Sequence, residues 1–226
     1  MFHDFLDLLY PRICVTCDAP LLRHEKLLCT GCLHELPIAD FHLEKKNPVE
    51  KIFTGRIPLE NAVSLLLFEK KGMVQTLIQN LKYKGHEEIG EFLGGWLGSE
   101  LNKLPAFEDI SAVLPVPLHK SKLKKRGYNQ VTKFGEEIAK ALKVPFLDDV
   151  LLKVSASQTQ TVKKRIARWG KMEESFVLQK PEAVENSHIL LVDDLVTTGA
   201  TLEACAHKLL EVPNVRLSFA TMAVTH

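Results

Sequence analysis

Asp193 and Asp194 stand side by side, directly after the apolar run Ile189-Leu-Leu-Val192 and directly before Leu195-Val-Thr-Thr-Gly-Ala-Thr201. Two adjacent carboxylates disfavour a phosphate at close range but accept hydrogen bonds from hydroxyls, so they suit a sugar. Thr197, Thr198, Gly199, Ala200 and Thr201 offer backbone N–H groups and hydroxyls where a strand turns into a helix, which suits a phosphate. Capping alone would account for one threonine, but not for paired acids followed by five small residues. Four of the five cysteines form a second constellation, Cys14-Val-Thr-Cys17 and Cys29-Thr-Gly-Cys32. Each pair turns two thiolates towards one tetrahedral ion. Two pairs close a four-sulfur shell with no open position, the pattern of a structural zinc site. Disulfides are the weaker alternative for a chain in a reducing compartment. Gly31 is expected to supply a left-handed turn in the second knuckle. His24 and His34 are spare ligands that four sulfurs do not need. Cys205 shares a helical apolar face with Leu202, Ala206 and Leu209 and reads as core.

Charge is the third chemical signal. The chain has a net charge of only +1, yet its cations are gathered. Residues 111–135 hold Lys120, Lys122, Lys124, Lys125, Arg126 and Lys133 with no acid, and residues 150–172 hold Lys153, Lys163, Lys164, Arg165, Arg168 and Lys171 with none. Two such windows in a near-neutral chain point to a polyanion bound at a defined place. Apolar residues make up 46% of the 226, which excludes wholesale disorder. No apolar run approaches the roughly 20 residues that span a bilayer. The start, Met1-Phe-His-Asp-Phe-Leu-Asp7, carries acids where a signal peptide carries cations, so a cytoplasmic protein with no membrane partner is expected.

The elements that must position these groups follow from periodicity. Asn61–Phe68 reads as a strand. Val74, Leu77, Ile78 and Leu81 recur at helical spacing, as do Ile89, Phe92, Leu93, Trp96, Leu97 and Leu101, with Lys82-Tyr-Lys-Gly-His86 as the break. Lys82 and Tyr83 either face the site or merely end a helix. Ala112–Val116 is a short buried strand ending at proline, and Val131, Phe134, Ile138 and Leu142 mark an amphipathic helix. Strands at 175–178 and 189–192, a helix over 200–210 and a strand near 215–224 follow. Strands alternating with helices predict an α/β domain with a mainly parallel sheet, whose ligands bind at the carboxyl edge. The expected organisation is a zinc-ribbon module at 1–45, a connector at 46–60 and the α/β domain at 61–226. The first module has too few apolar positions for its own core, so metal must do much of the holding.

Residues 189–201 resemble the phosphoribosyl-pyrophosphate (PRPP) motif of type I phosphoribosyltransferases: an apolar strand, paired acids, then Thr-Thr-Gly-Ala-Thr. The whole chain resembles the ComF branch of that family, associated in bacteria with competence and DNA uptake. The resemblance includes the double C-x-x-C, Leu77-Ile-Gln-Asn-Leu-Lys-Tyr-Lys-Gly85, Pro115-Val-Pro-Leu118 with the basic stretch to Arg126-Gly-Tyr-Asn-Gln130, and the spaced Gln160, Arg168 and Phe176. It implies a type I phosphoribosyltransferase fold preceded by a zinc ribbon. It also implies that Asp193 and Asp194 hold ribose hydroxyls and that residues 197–201 cradle the 5′-phosphate. The loop carrying Pro117 and Lys120 would approach pyrophosphate, with Arg126 and Arg168 at the reacting end. Residues 155–172 would form a hood over the site, and Mg²⁺ would bridge pyrophosphate and ribose oxygens. The sequence departs from the pattern where lysines replace arginines after Pro117, giving point charges instead of forks, and at Lys163 and Lys171 in the hood.

Two functions follow. The first is a PRPP-binding phosphoribosyltransferase that releases pyrophosphate and adds a nitrogen nucleophile, a reaction needing placed cations and water exclusion more than a covalent nucleophile. With four cysteines assigned to zinc and Cys205 in the core, none is left for a glutaminase. The second is non-catalytic: a PRPP- or nucleotide-sensing adaptor, or a factor handling single-stranded DNA beside a helicase-like partner. Interleaved aromatics for base stacking are few, with Tyr128 and Phe134 in one basic window and Trp169 in the other.

Overall fold

The structure, a computed structural model, describes residues 11–41, 46–154 and 175–225. The apolar run Asn61–Phe68 forms β1, and Ala112–Pro115 forms β2. Leu151–Val154 and Ser175–Leu178 form β3 and β4, His188–Val196 forms β5 and Arg216–Thr225 forms β6. The main sheet has the order β1-β6-β5-β2 and every pair in it is parallel. Strands buried on both faces read as continuous apolar runs, as Ile189–Val192 does. β3 and β4 pair antiparallel beside the sheet and flank the segment expected as the hood. Gln160, Lys163, Arg168 and Lys171, with the hood itself, lie outside the described residues.

The helices are Thr30–His34 (α1), Pro48–Phe53 (α2), Met73–Tyr83 (α3), Glu88–Leu101 (α4), Lys120–Arg126 (α5), Thr132–Leu142 (α6) and Ala200–Leu209 (α7). On one side of the sheet, Leu77, Leu81, Ile89, Leu93, Phe134 and Ile138 pack against Val63, Leu65 and Val192; on the other, Phe53, Leu202, Cys205 and Leu209 pack against Leu114, Leu191 and Phe219. Cys205 is fully buried, as its position on an apolar helix face predicts.

Two findings add to the sequence reading and a third revises it. The first concerns the cysteine module, which shares its core with the α/β domain. Cys14, Val15, Leu27, Leu28, Cys32 and Leu36 are buried in the same cluster as α3 and α4, and Asn80 Nδ2 donates to the Val15 carbonyl at 2.5 Å. The second concerns residues 46–60, which contain a built element. Asn47 caps α2 by accepting from the amides of Val49 and Glu50 and donates to the Ala62 carbonyl, while Val49 and Phe53 are buried. The third is that the strand expected to end at Val192 continues through both acids to Val196, with Asp193 opposite Thr221 and Leu195 opposite Ala223.

Candidate functional site

The carboxyl edge of the sheet gathers the acids, the small-residue turn and the start of the basic segment. β2 lies beside β5, with Pro115 opposite Val192 and the Val116 amide donating to the Val192 carbonyl at 2.9 Å. The loop that follows, with a buried Pro117, therefore begins next to Asp193. It leads into α5, which starts at Lys120 and buries no residue; Lys120, Lys122, Lys124 and Lys125 are all exposed. Arg126 closes that helix, donating to Gln130 Oε1 and lying over the Tyr83 ring at 5.5 Å.

Asp193 and Asp194 are both buried. The Asp194 amide donates to Asp193 Oδ1 at 2.8 Å. Burial, reinforced by the neighbouring Asp194 charge, pushes the Asp193 carboxyl up to about 8, against the pull of the Asp194 amide, Lys82 and Lys153. Lys82 settles one open alternative: its Nζ donates to Asp194 Oδ1 at 2.9 Å, so it faces the site. Asp194 Oδ2 is buried with no hydrogen-bond partner among the described residues, leaving one acceptor for a hydroxyl. Tyr83 is exposed, its ring against the Arg126 guanidinium.

The turn after β5 encloses a depression of about 40 Å³ lined by Asp193 and residues 195–202. Gly199 takes φ +75° at the N-cap of α7 and, having no side chain, offers the first turn of that helix no cap. Residues 199–202 line the depression; the Ala200 amide reaches Thr198 Oγ1 at a long 3.4 Å, and the amides of Thr201 and Leu202 have no side-chain acceptor among the described residues, which suits an anion. Below it lies α2. A Cβ at Gly199 would meet Phe53 Cε1 at 2.5 Å and Ile52 Cγ2 at 2.9 Å. Arg56, just past α2, donates to the Thr198 carbonyl at 2.8 Å and to the Ile52 carbonyl at 2.9 Å, and it pairs with Glu203. Nothing in the local sequence marks Arg56, because its partners at the turn, Thr198 and Glu203, lie more than 140 residues away.

The four module cysteines form a separate centre. Their sulfurs all lie within 4.8 Å of one another, and Cys17 Sγ is 3.7 Å from Cys29 Sγ. Ligands about 2.3 Å from a central zinc in a tetrahedron sit about 3.8 Å apart, so the set fits that ion. Burial pushes the Cys14 thiol up, but the amides of Cys29, Cys17 and Thr16 outweigh it and bring it down to about 6. Burial, then crowding by Cys17, Cys29 and Cys14, raises Cys32; a dication relieves both penalties. His24 and His34 are not in the cluster. Gly31 lies inside α1 with no left-handed φ; Asp18, after the first knuckle, has φ +59° instead. The second knuckle is a helix start, where the Cys29 side chain accepts from the Cys32 amide, and a helix needs no left-handed residue there.

Parallel sheet, acid pair, small-residue anion turn and four-cysteine module together define a phosphoribosyltransferase domain carrying a zinc ribbon. The phosphoribosyl transferase domain family matches residues 105–223 and the double zinc ribbon domain matches residues 5–42. The competence protein ComFC of Bacillus subtilis is 31% identical over 227 residues, covering 90% of each chain. The DNA utilization protein YhgH of Escherichia coli K12 is 26% identical over 201 residues, 88% of this chain and 84% of that one. Among solved structures, adenine phosphoribosyltransferase from Leishmania donovani aligns over 73% of this chain and 84% of its own at 13% identity, with a TM-score of 0.41. The chain belongs to the ComF-like family of phosphoribosyltransferase-domain proteins. Zinc is its structural metal. Among the described residues no helix is long and apolar enough to cross a membrane.

Proposed function

We propose that this protein binds PRPP at the carboxyl edge of its sheet and transfers the phosphoribosyl group to a nitrogen acceptor. The observation that carries this is the glycine-led helix start, with no side chain at its N-cap, beside two buried acids, one of which keeps an oxygen without a partner among the described residues. In this reading the 5′-phosphate sits against the amides of residues 199–201 and the hydroxyls of Thr197, Thr198 and Thr201. Asp194 Oδ2 and the Asp193 carboxyl take the ribose hydroxyls, while Lys82 holds Asp194 in place. Pyrophosphate lies towards the loop at Pro117 and the start of α5 at Lys120, with Arg126 and Arg168 as further cations for the departing charge. The C1–O bond breaks with its electron pair passing to pyrophosphate, the acceptor nitrogen's lone pair forms the C1–N bond, and that nitrogen's proton goes to solvent. Cations fixed around the leaving group lower this barrier electrostatically.

Among the described residues, the sheet edge offers a hard cation the two acids, one oxygen of which is already taken by Lys82. Mg²⁺ fits here as a companion of PRPP, held chiefly by its oxygens and water, and it would supply charge neutralisation of the leaving pyrophosphate. Calorimetric titration with PRPP, with and without Mg²⁺, tests the reading: no heat of binding in either case rejects it.

A second reading is favoured by α5. Four exposed lysines on a seven-residue helix with no acid in it suit a nucleic-acid backbone, and relatives are named for competence and DNA utilization. Under it the protein is an adaptor that senses PRPP or handles single-stranded DNA beside a helicase-like partner in the cytoplasm. Salt-dependent oligonucleotide binding that is lost when Lys122, Lys124 and Lys125 become alanine, without any pyrophosphate release, would favour it over catalysis.

A further inference from the structure

Beside the phosphate turn, a wider cleft of about 530 Å³ opens on the β1 side of the same sheet edge, within the usual size of small-molecule sites. Leu195 lies in the wall of both concavities, and Lys82, which bonds Asp194, lies in the wall of the wider one. The cleft therefore adjoins the acids directly. Its walls are of two kinds. Phe68 at the end of β1, Ile78 on α3 and Leu195 on β5 are apolar. Gln79 and Lys82 rise from the same face of α3 as Ile78, one turn apart, and Lys70 and Lys71 come from the β1–α3 turn. Among the described residues no carboxylate lines it, and neither Lys70 nor Lys71 is in an ion pair.

Position gives this cleft its role, on the footing of the phosphoribosyl-transfer reading above. With the sheet order β1-β6-β5-β2, the β2 loop that would receive pyrophosphate lies on one side of β5 and the cleft lies on the other. A nucleophile that adds at C1 opposite the departing pyrophosphate must come from the cleft side. Apolar walls take the face of a flat ring, amides take its edge, and Lys70 and Lys71, beside a Lys82 that is already paired with Asp194, select negative charge. We infer that the cleft is the acceptor site, and that the acceptor is a nitrogen heteroaromatic ring bearing an anionic substituent such as a carboxylate, not a neutral base. The ring nitrogen supplies the lone pair for the C1–N bond and pyrophosphate keeps the pair of the broken C1–O bond; a ring N–H, as in orotate, gives its proton to solvent, whereas a pyridine-type nitrogen, as in nicotinate, loses no proton and keeps the positive charge.

Matched probes that differ by one carboxylate test this. The full-length zinc-loaded protein, preloaded with ribose 5-phosphate, is titrated calorimetrically with orotate against uracil and with nicotinate against nicotinamide. Each acid is expected to bind at least about tenfold tighter than its neutral partner, and Lys70→Ala with Lys71→Ala to reduce that preference to within about twofold. Equal affinities within each pair, absence of binding by all four rings, or a preference that survives the double substitution overturns the inference. PRPP with Mg²⁺ is titrated separately: binding there with no acid preference sinks the acceptor assignment alone, whereas no PRPP binding sinks the transfer reading and the inference with it.

Discussion

Arg56 reaches across the fold to Thr198, donating from Nη1 to its carbonyl at 2.8 Å while pairing with Glu203 one turn into α7. One guanidinium thus ties the segment after α2 to both ends of the anion turn, and it also lies 5.9 Å from the centre of the Phe53 ring. It touches no part of the proposed ligand and acts as a positioning residue. Arg56→Ala should raise the dissociation constant for PRPP about fivefold, equivalent to about 1 kcal/mol, because the pair is a third exposed and screened. Arg56→Lys, which keeps the charge but loses the fork, should recover only part of it. Calorimetry with equal melting temperatures for all three proteins is the check; unchanged affinity in Arg56→Ala removes the role.

Gly199 is held between a left-handed backbone and the Phe53 ring. Gly199→Ala should cost about 1–2 kcal/mol for the backbone and about 1–3 kcal/mol for overpacking. Adding Phe53→Leu should relieve the second part only. Denaturant melts of the single and double variants measure this, and a Gly199→Ala protein as stable as wild type contradicts the packing.

Much of this arrangement is readable from residue order, and the exceptions have identifiable causes. β1, α3, α4, α6 and α7 follow from apolar periodicity because each buries one continuous face or stripe, whereas α5, read as part of a basic loop, buries no residue and shows no such stripe. The extension of β5 through Asp193 and Asp194 is invisible to propensity, since acids are depleted in strands; pairing with Thr221 and Ala223 carries the strand on. Asn47-Pro48 reads locally as a turn, yet it is an N-cap followed by proline at the first helical position, and six residues are too few to display a period. The anion turn is legible because one short segment supplies all of it. Lys82–Asp194 and Arg56–Thr198 join residues 112 and 142 apart, and no local pattern records such a contact.

Zinc should stabilise more than the module that binds it. Cys14 and Cys32 are buried in one cluster with Leu77, Leu81 and Leu93, and Asn80 bonds Val15. One zinc per chain is expected by metal analysis. Chelation, or Cys29→Ser, should lower the melting temperature of the α/β domain by more than about 5 °C as well as loosening the ribbon. A metal-free protein melting like the loaded one would contradict this coupling.

Asp193 gives stability a pH slope of known sign. Its folded carboxyl lies near 8, above the ordinary 3.8, so the folded state holds a proton that the unfolded state has released. Stability from this group is fully present below about pH 4 and is lost progressively as pH rises to about 8. Asp193→Asn, neutral throughout, should flatten that slope and melt higher than wild type at pH 8. Melting curves from pH 5 to pH 8 that show parallel profiles for the two proteins would contradict the raised carboxyl.

Lys82 and Asp194 should behave as a unit. The Asp194 side chain is 6% exposed and that of Lys82 is 22% exposed, so removing the lysine strands a buried carboxylate, whereas removing the acid leaves an ammonium that can still reach water. Lys82→Met should therefore cost more stability than Asp194→Asn, about 2–3 kcal/mol against about 1 kcal/mol, below the full range for buried pairs because the lysine is partly solvated. The double variant should be less damaged than the sum, with a coupling of at least about 1 kcal/mol. PRPP affinity separates structure from function. Asp194→Asn keeps the shape of the site but weakens its acceptor oxygens, and should bind PRPP about ten- to a hundredfold more weakly through loss of a charge-assisted bond worth about 1.5–3 kcal/mol. A site that merely attracts polyanions would instead bind it better once a negative charge is gone. Calorimetric titration of a folded Asp194→Asn protein decides between them: undiminished affinity would remove the acid from the sugar site and leave it as the partner of Lys82 alone.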